Sequence, residues 1–84
     1  MSITQWEMDA RRLLKAQLAL KGVGTRQLAE RLQVIGEDIT PGAVANKISR
    51  GSFSLAFFLQ CCHVLDVEGL SLHTIETKFS ERKK

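Results

Sequence analysis

Apolar residues recur every three or four positions along most of this chain, and the pattern predicts four short helices. Thr4-Gln5-Trp6-Glu7 fits a capping box, in which the Thr hydroxyl and the Glu carboxylate each satisfy an otherwise unpaired backbone N–H, so a first helix starts there. Trp6, Ala10, Leu14 and Leu18 then form one apolar stripe, widened by Leu13 and ended by the Gly22 stop. Gln17 flanks the stripe and reads as a helix-edge amide satisfied by water or backbone. Gly24-Thr25 precedes a second, short helix from Arg26 to about Gln33, with Leu28, Ala29 and Leu32 as its buried side. From Val34 to Ile39 the periodicity breaks around Gly36, which predicts a loop tucked against the core.

Thr40 caps the third helix, and Pro41 occupies its first position, where the missing N–H costs nothing and the fixed φ suits a helix. Val44 and Ile48, one turn apart, are its only large apolar residues. The opposite face is therefore Gly42, Ala43, Asn46, Ser49 and Arg50, small and polar enough for the helix axis to come close to another surface. Ser54 caps a fourth helix, Leu55 to about Leu65, and Phe53 before the cap can staple onto Phe58. Leu55, Phe58, Leu59, Cys62 and Leu65 are expected to fill its core side, with Phe57 at the margin. Further on the pattern is ambiguous. Leu70, Leu72 and Thr74 alternate as in a short β-strand, whereas Leu72, Ile75 and Phe79 fit a fifth helix.

The chain has 84 residues, enough for one domain that buries somewhat more than ~60% of its unfolded surface. We expect a single domain over 1–84, with a core at about 5–66, a C-terminal segment at 67–79 and a basic tail at 80–84. No run reaches membrane-span length, and MSITQWEMDARR carries acids and lacks the apolar centre of a signal peptide, so a cytoplasmic protein is expected. Cys61 and Cys62 are adjacent in an apolar helical run and read as small core residues rather than a disulfide framework. Together with His63 and His73 they match no usual zinc spacing, so neither a metal nor any other cofactor is expected. The net charge is +3, unevenly placed. Residues 10–51 carry Arg11, Arg12, Lys15, Lys21, Arg26, Arg31, Lys47 and Arg50 against Glu30, Glu37 and Asp38, a local +5 that favours a polyanion-binding face.

Lys21-Gly22-Val23, LAERL at 28–32 and KISRG at 47–51 resemble the lambda-repressor-like helix-turn-helix domains. Trp6-Glu7, Leu13 to Ala16, Asn46 to Ser54 and Phe57 to Cys61 are similar to a small uncharacterised bacterial domain family with a WE...LLKA start, an NK-x-SRG-x-FS centre and an FFLQC run. The resemblance covers about residues 5–66. It implies a mostly α, four-helix lambda-repressor-like domain with the third helix, about 41–50, in the major groove of double-stranded DNA and the second crossing the phosphate backbone. A transcriptional regulator or a partner of one is expected, and because one recognition helix makes few base contacts a homodimer is expected as well, paired through the LSLHTI segment at 70–75 as a strand whose backbone groups a second copy would satisfy. The connection Gln33 to Ile39 is longer than that family's tight turn, and Thr25 stands where that family often has a phosphate-binding Gln.

In this reading Thr25 and Arg26 complete a phosphate clamp at the second helix's N-terminus, and Lys47 and Arg50 reach phosphates at the groove walls. Arg11, Arg12 and Lys15 are the next candidates for that work. Asn46 is the one exposed side chain on the third helix able to pair bidentately with adenine, while Thr40, Gly42 and Ala43 offer hydroxyl, backbone or methyl contacts to bases. Against this, Asn46 could merely cap or solvate, and Lys47 and Arg50 are the cations expected near any helix C-terminus. The rival function is a protein-interaction module using Gly42-Ala43 and Val34-Ile35 against a partner helix or strand. Enzymatic activity is not expected, since no His, Cys or Ser is placed with an orienting carboxylate as nucleophile and base.

Overall fold

The computed structural model describes residues 4–72. They form four helices, α1 (Gln5–Lys21), α2 (Thr25–Val34), α3 (Pro41–Arg50) and α4 (Leu55–Val64). Each begins where its capping residue predicts, to within a residue. Thr4 Oγ1 accepts from the Glu7 N–H at 3.1 Å and the Thr4 N–H donates to Glu7 Oε1 at 2.9 Å. Thr40 Oγ1 accepts from the Ala43 N–H at 3.1 Å, and Ser54 Oγ from the Phe57 N–H at 3.0 Å. These bonds satisfy N–H groups that have no intrahelical partner.

Leu14 and Leu18 of α1, Leu28, Ala29 and Leu32 of α2, Val44 and Ile48 of α3, and Phe57 and Cys61 of α4 make the core, joined by Val23 and Leu65. α3 packs on both α1 and α2, and α4 packs on α2. The α1 contact is set by a glycine. Gly51 ends α3 at φ 68, and a Cβ there would fall inside the Glu7 backbone carbonyl of α1. Arg11 Nη1 donates to Ser49 O at 3.5 Å across the same junction.

Three expectations about packing are corrected. The core side of α4 is Phe57 and Cys61, whereas Leu55 and Leu59 are 72% and 58% exposed. An apolar helix with leucines and phenylalanines all round has no periodicity strong enough to choose a face, and contact with α2 chooses it. Trp6, read as the start of the α1 stripe, is 57% exposed, because the buried part of that stripe begins only at Leu14. The apolar start of the loop after α2 is not tucked against the core, although Gln60 Nε2 of α4 donates to Glu37 Oε2 at 2.8 Å. Ile39 packs on the core and Gln33 Nε2 donates to Ile39 O at 2.7 Å, but Val34, the last residue of α2, is 86% exposed and Ile35 is also exposed.

Two polar residues of α1 are buried. Gln17 is more enclosed than a helix-edge amide, and Asp9 is 2% exposed. Asp9 Oδ1 accepts from Gln5 Nε2 at 3.2 Å and from Arg12 Nη1 at 3.3 Å, while its Oδ2 has no partner among the described residues. The staple before α4 forms as expected, with the Phe53 and Phe58 rings stacked 6.2 Å apart.

No strand is present among the described residues. Leu70 and Ser71 are irregular, and Leu70, Ser71 and Leu72 are all exposed. A strand here would have no neighbouring strand among the described residues to pair its backbone with. The rest of the LSLHTI segment, and the fifth-helix alternative through Ile75 and Phe79, lie outside the described residues.

Gly51→Ala is expected to destabilise the fold by at least about 1–3 kcal/mol, from the left-handed backbone alone before the collision with α1 is added. Equilibrium denaturation measures it. Burial, helped by the neighbouring Cys62, pushes the Cys61 thiol from 9.0 up to about 12. The unfolded chain then ionises first, so stability should hold below pH 9 and decline as the pH climbs from there towards 12. At neutral pH a thiol reagent should label Cys61 only after denaturation, which a comparison of native and unfolded labelling stoichiometry reads directly.

Candidate nucleic-acid interface

The outward side of α3 follows from the position of Val44 and Ile48. With those two in the core, the helical period turns Gly42, Ala43, Asn46 and Arg50 to solvent, and all four are exposed. Thr40 is exposed at the start of α3, where its oxygen already accepts the capping bond; only its hydroxyl proton is left to donate. Gly42 has open space where a Cβ would be, so neither packing nor φ requires a glycine there.

Asn46 is the informative position. Gly51, not Asn46, ends α3, and the Asn46 amide makes no hydrogen bond among the described residues. Its donor and acceptor are thus both available, and the capping alternative does not describe it. Ala43, Asn46, Lys47, Arg50, Ser52 and Phe53 together line a notch of about 340 Å³ at the C-terminal end of α3.

Lys47 and Arg50 are exposed in the last turn of α3, at the negative end of its dipole. Lys47 is partly committed, since its Nζ lies 5.5 Å from the centre of the Phe57 ring. The Arg11 guanidinium, from α1, reaches the same end of α3 through Ser49 O. Three cations therefore converge on one helix terminus. The sequence places Arg11 only among the further candidates, because nothing local to residue 11 signals a neighbour 38 positions away.

At α2 the arrangement differs from α1, α3 and α4. Gly24 occupies the cap and has no side chain to accept from the first-turn N–H groups; the one reciprocal bond is from the Gly24 N–H to Gln27 Oε1 at 3.0 Å. Thr25 is the first residue of α2 and Arg26 the second, both exposed, and Arg26 forms no hydrogen bond or ion pair among the described residues. An uncapped helix start with free N–H groups and an adjacent guanidinium can hold an anion.

Residues 6–70 match the model of a family described as Domain of unknown function (DUF6471). The chain belongs to that family. The DUF6471 match takes in nearly all of α1 and the whole of α2, α3 and α4, so the notch and both groups of exposed cations lie inside the family's domain. Neither a curated protein nor a solved structure matches the chain. Among the described residues no helix is long and apolar enough to cross a membrane, and no group of His, Cys, Asp or Glu is gathered to hold a metal ion.

Gly42→Ala should leave the fold intact and raise stability by up to about 1 kcal/mol, because the site has room and the helix gains from losing a glycine. Thermal melting checks it; a loss of stability would give Gly42 a packing role.

Proposed function

We propose that this domain binds double-stranded DNA with α3 in the major groove and α2 across the phosphate backbone, as a transcriptional regulator or a partner of one. The observation that carries the reading is the unpartnered Asn46 amide on a small, polar, exposed helix face, flanked by Arg11, Lys47 and Arg50. Asn46 is the adenine reader, pairing with N6 and N7. Gly42 and Ala43 let the helix sink into the groove, and Thr40 donates its hydroxyl proton at the groove edge. Thr25 and Arg26 take a phosphate at the open start of α2, and Lys47, Arg50 and Arg11 take phosphates at the other end.

A second reading has its own support. Val34 and Ile35 are exposed apolar residues that share a recess of about 260 Å³ with Arg31, His63 and Val64, on residues the DNA reading does not use. A protein partner seated there gives a protein-interaction module without DNA binding.

Titration of salt against random and selected duplexes separates the two. DNA binding weakens steeply as salt rises because phosphate contacts release counterions, whereas apolar protein contact barely responds. On the preferred site, Asn46→Ala is expected to cost about 1–3 kcal/mol and relax preference at one base pair while leaving folding unchanged. An equal loss on every sequence removes Asn46 from the reading role. Arg26→Ala, Lys47→Ala and Arg50→Ala should each weaken specific and random binding alike and lower the salt slope by about one. If all three slopes stay at the wild-type value, these cations do not touch phosphate.

A further inference from the structure

Gln17 is 8% exposed, yet its side-chain amide makes no hydrogen bond among the described residues. Polar groups enclosed to that extent are ordinarily paired, so the amide points to a partner outside the helices. What it borders is an open cleft of about 790 Å³ between the end of α1 and the chain that leaves α4, lined with it by Leu20, Lys21, Asp66, Val67 and Glu68. The DNA reading uses none of these residues.

The cleft also gathers unpaired acid. Lys21 Nζ donates to the backbone oxygen of Asp66 at 3.0 Å, but neither the Asp66 nor the Glu68 carboxylate has a hydrogen bond or ion pair among the described residues. Two carboxylates against one ammonium leave the cleft negative, in a chain whose net charge is +3. That sign is opposite to the outward end of α3.

These features narrow the ligand. An anion is repelled by the two carboxylates, and a wholly apolar molecule strands the Gln17 amide and strips water from the acids. A bare metal ion does not need a space of this size, and no group of three metal-ligating side chains is gathered among the described residues. A short organic dication meets each requirement. Its ammonium groups match the two carboxylates in charge and can donate to Gln17 Oε1, while its aliphatic stem lies on Leu20 and Val67.

We infer that this cleft is a binding site for a small aliphatic diamine, with Gln17 as the buried acceptor and Asp66 and Glu68 as the counter-charges. The site goes beyond the DNA reading and does not rest on it.

Putrescine titrated into the full chain at low salt, without nucleic acid, tests it. Saturable binding is expected with a dissociation constant of roughly 1 mM or tighter, together with movement of the Gln17 side-chain signals in a two-dimensional amide NMR spectrum. The uncharged diol of the same chain length and the dianion succinate should not bind. Asp66→Asn and Glu68→Gln remove charge at nearly constant shape, and Asn tolerates the left-handed backbone that Asp66 adopts at φ 57. The double variant should fold as the wild type does and bind putrescine about tenfold more weakly. Asp38→Asn, the same change of charge in the loop after α2, should bind as tightly as the wild type. Absence of saturation up to roughly 10 mM overturns the inference, as does a Gln17 amide that stays unmoved at saturation. Equal binding of the diol or succinate does so too, and so does undiminished binding by the double variant. If Asp38→Asn weakens binding as much as the double variant does, the diamine is held by diffuse attraction and the cleft is not its site. Each of these failures leaves the DNA reading untouched, because no step of the titration involves it.

Discussion

The contact on which the orientation of α3 depends is the backbone approach of Gly51 to Glu7. α3 is held in the core by side-chain packing through Val44 and Ile48. At its C-terminal end the backbone itself meets α1, and no side chain can be interposed because a Cβ has no room. The left-handed turn at Gly51 serves two ends at once. It closes α3 through bonds from its own N–H to Lys47 O and Ile48 O, and it redirects the chain so that Phe53 and Ser54 can start α4. Arg11 reinforces the same junction from α1.

That junction also explains how charge and apolar surface come to be separated. Once Val44 and Ile48 are inward, the α3 face turned to solvent has no large apolar residue, and cations from α1 and α3 gather at its end. The apolar excess is displaced to α4, whose sequence can satisfy the core with one side and still present leucines on the other. The carbonyls at the end of α4 are meanwhile served by cations from elsewhere in the chain. Arg31 Nη1 donates to Val64 O at 3.1 Å and Lys21 Nζ to Asp66 O at 3.0 Å.

The candidate site was partly legible in the sequence. Asn46, Arg50, Gly42 and Ala43 fall on one side of α3 by helical period alone, once Val44 and Ile48 are taken as core, and the structure leaves them there. The role of Arg11 was not legible, because proximity between α1 and the end of α3 is a property of how helices pack. The same holds for Lys47: its position at the helix end is local information, but the Phe57 ring beneath it belongs to a different helix. Asp9 left no signal beyond its spacing from Gln5 and Arg12, which a solvated helix would show equally.

By itself the sequence determined where helices start and stop, because caps, a first-turn Pro and left-handed glycines act within a few residues of where they sit. It determined the buried sides of α2 and α3 as well, since each has apolar residues in only one direction. Tertiary structure alone decided the orientation of α4, the exposure of Trp6 and Val34 and the burial of Asp9. Where a helix is apolar all round, or a residue lies at the edge of a stripe, local periodicity permits more than one face, and burial falls to whichever face the neighbouring helices can reach.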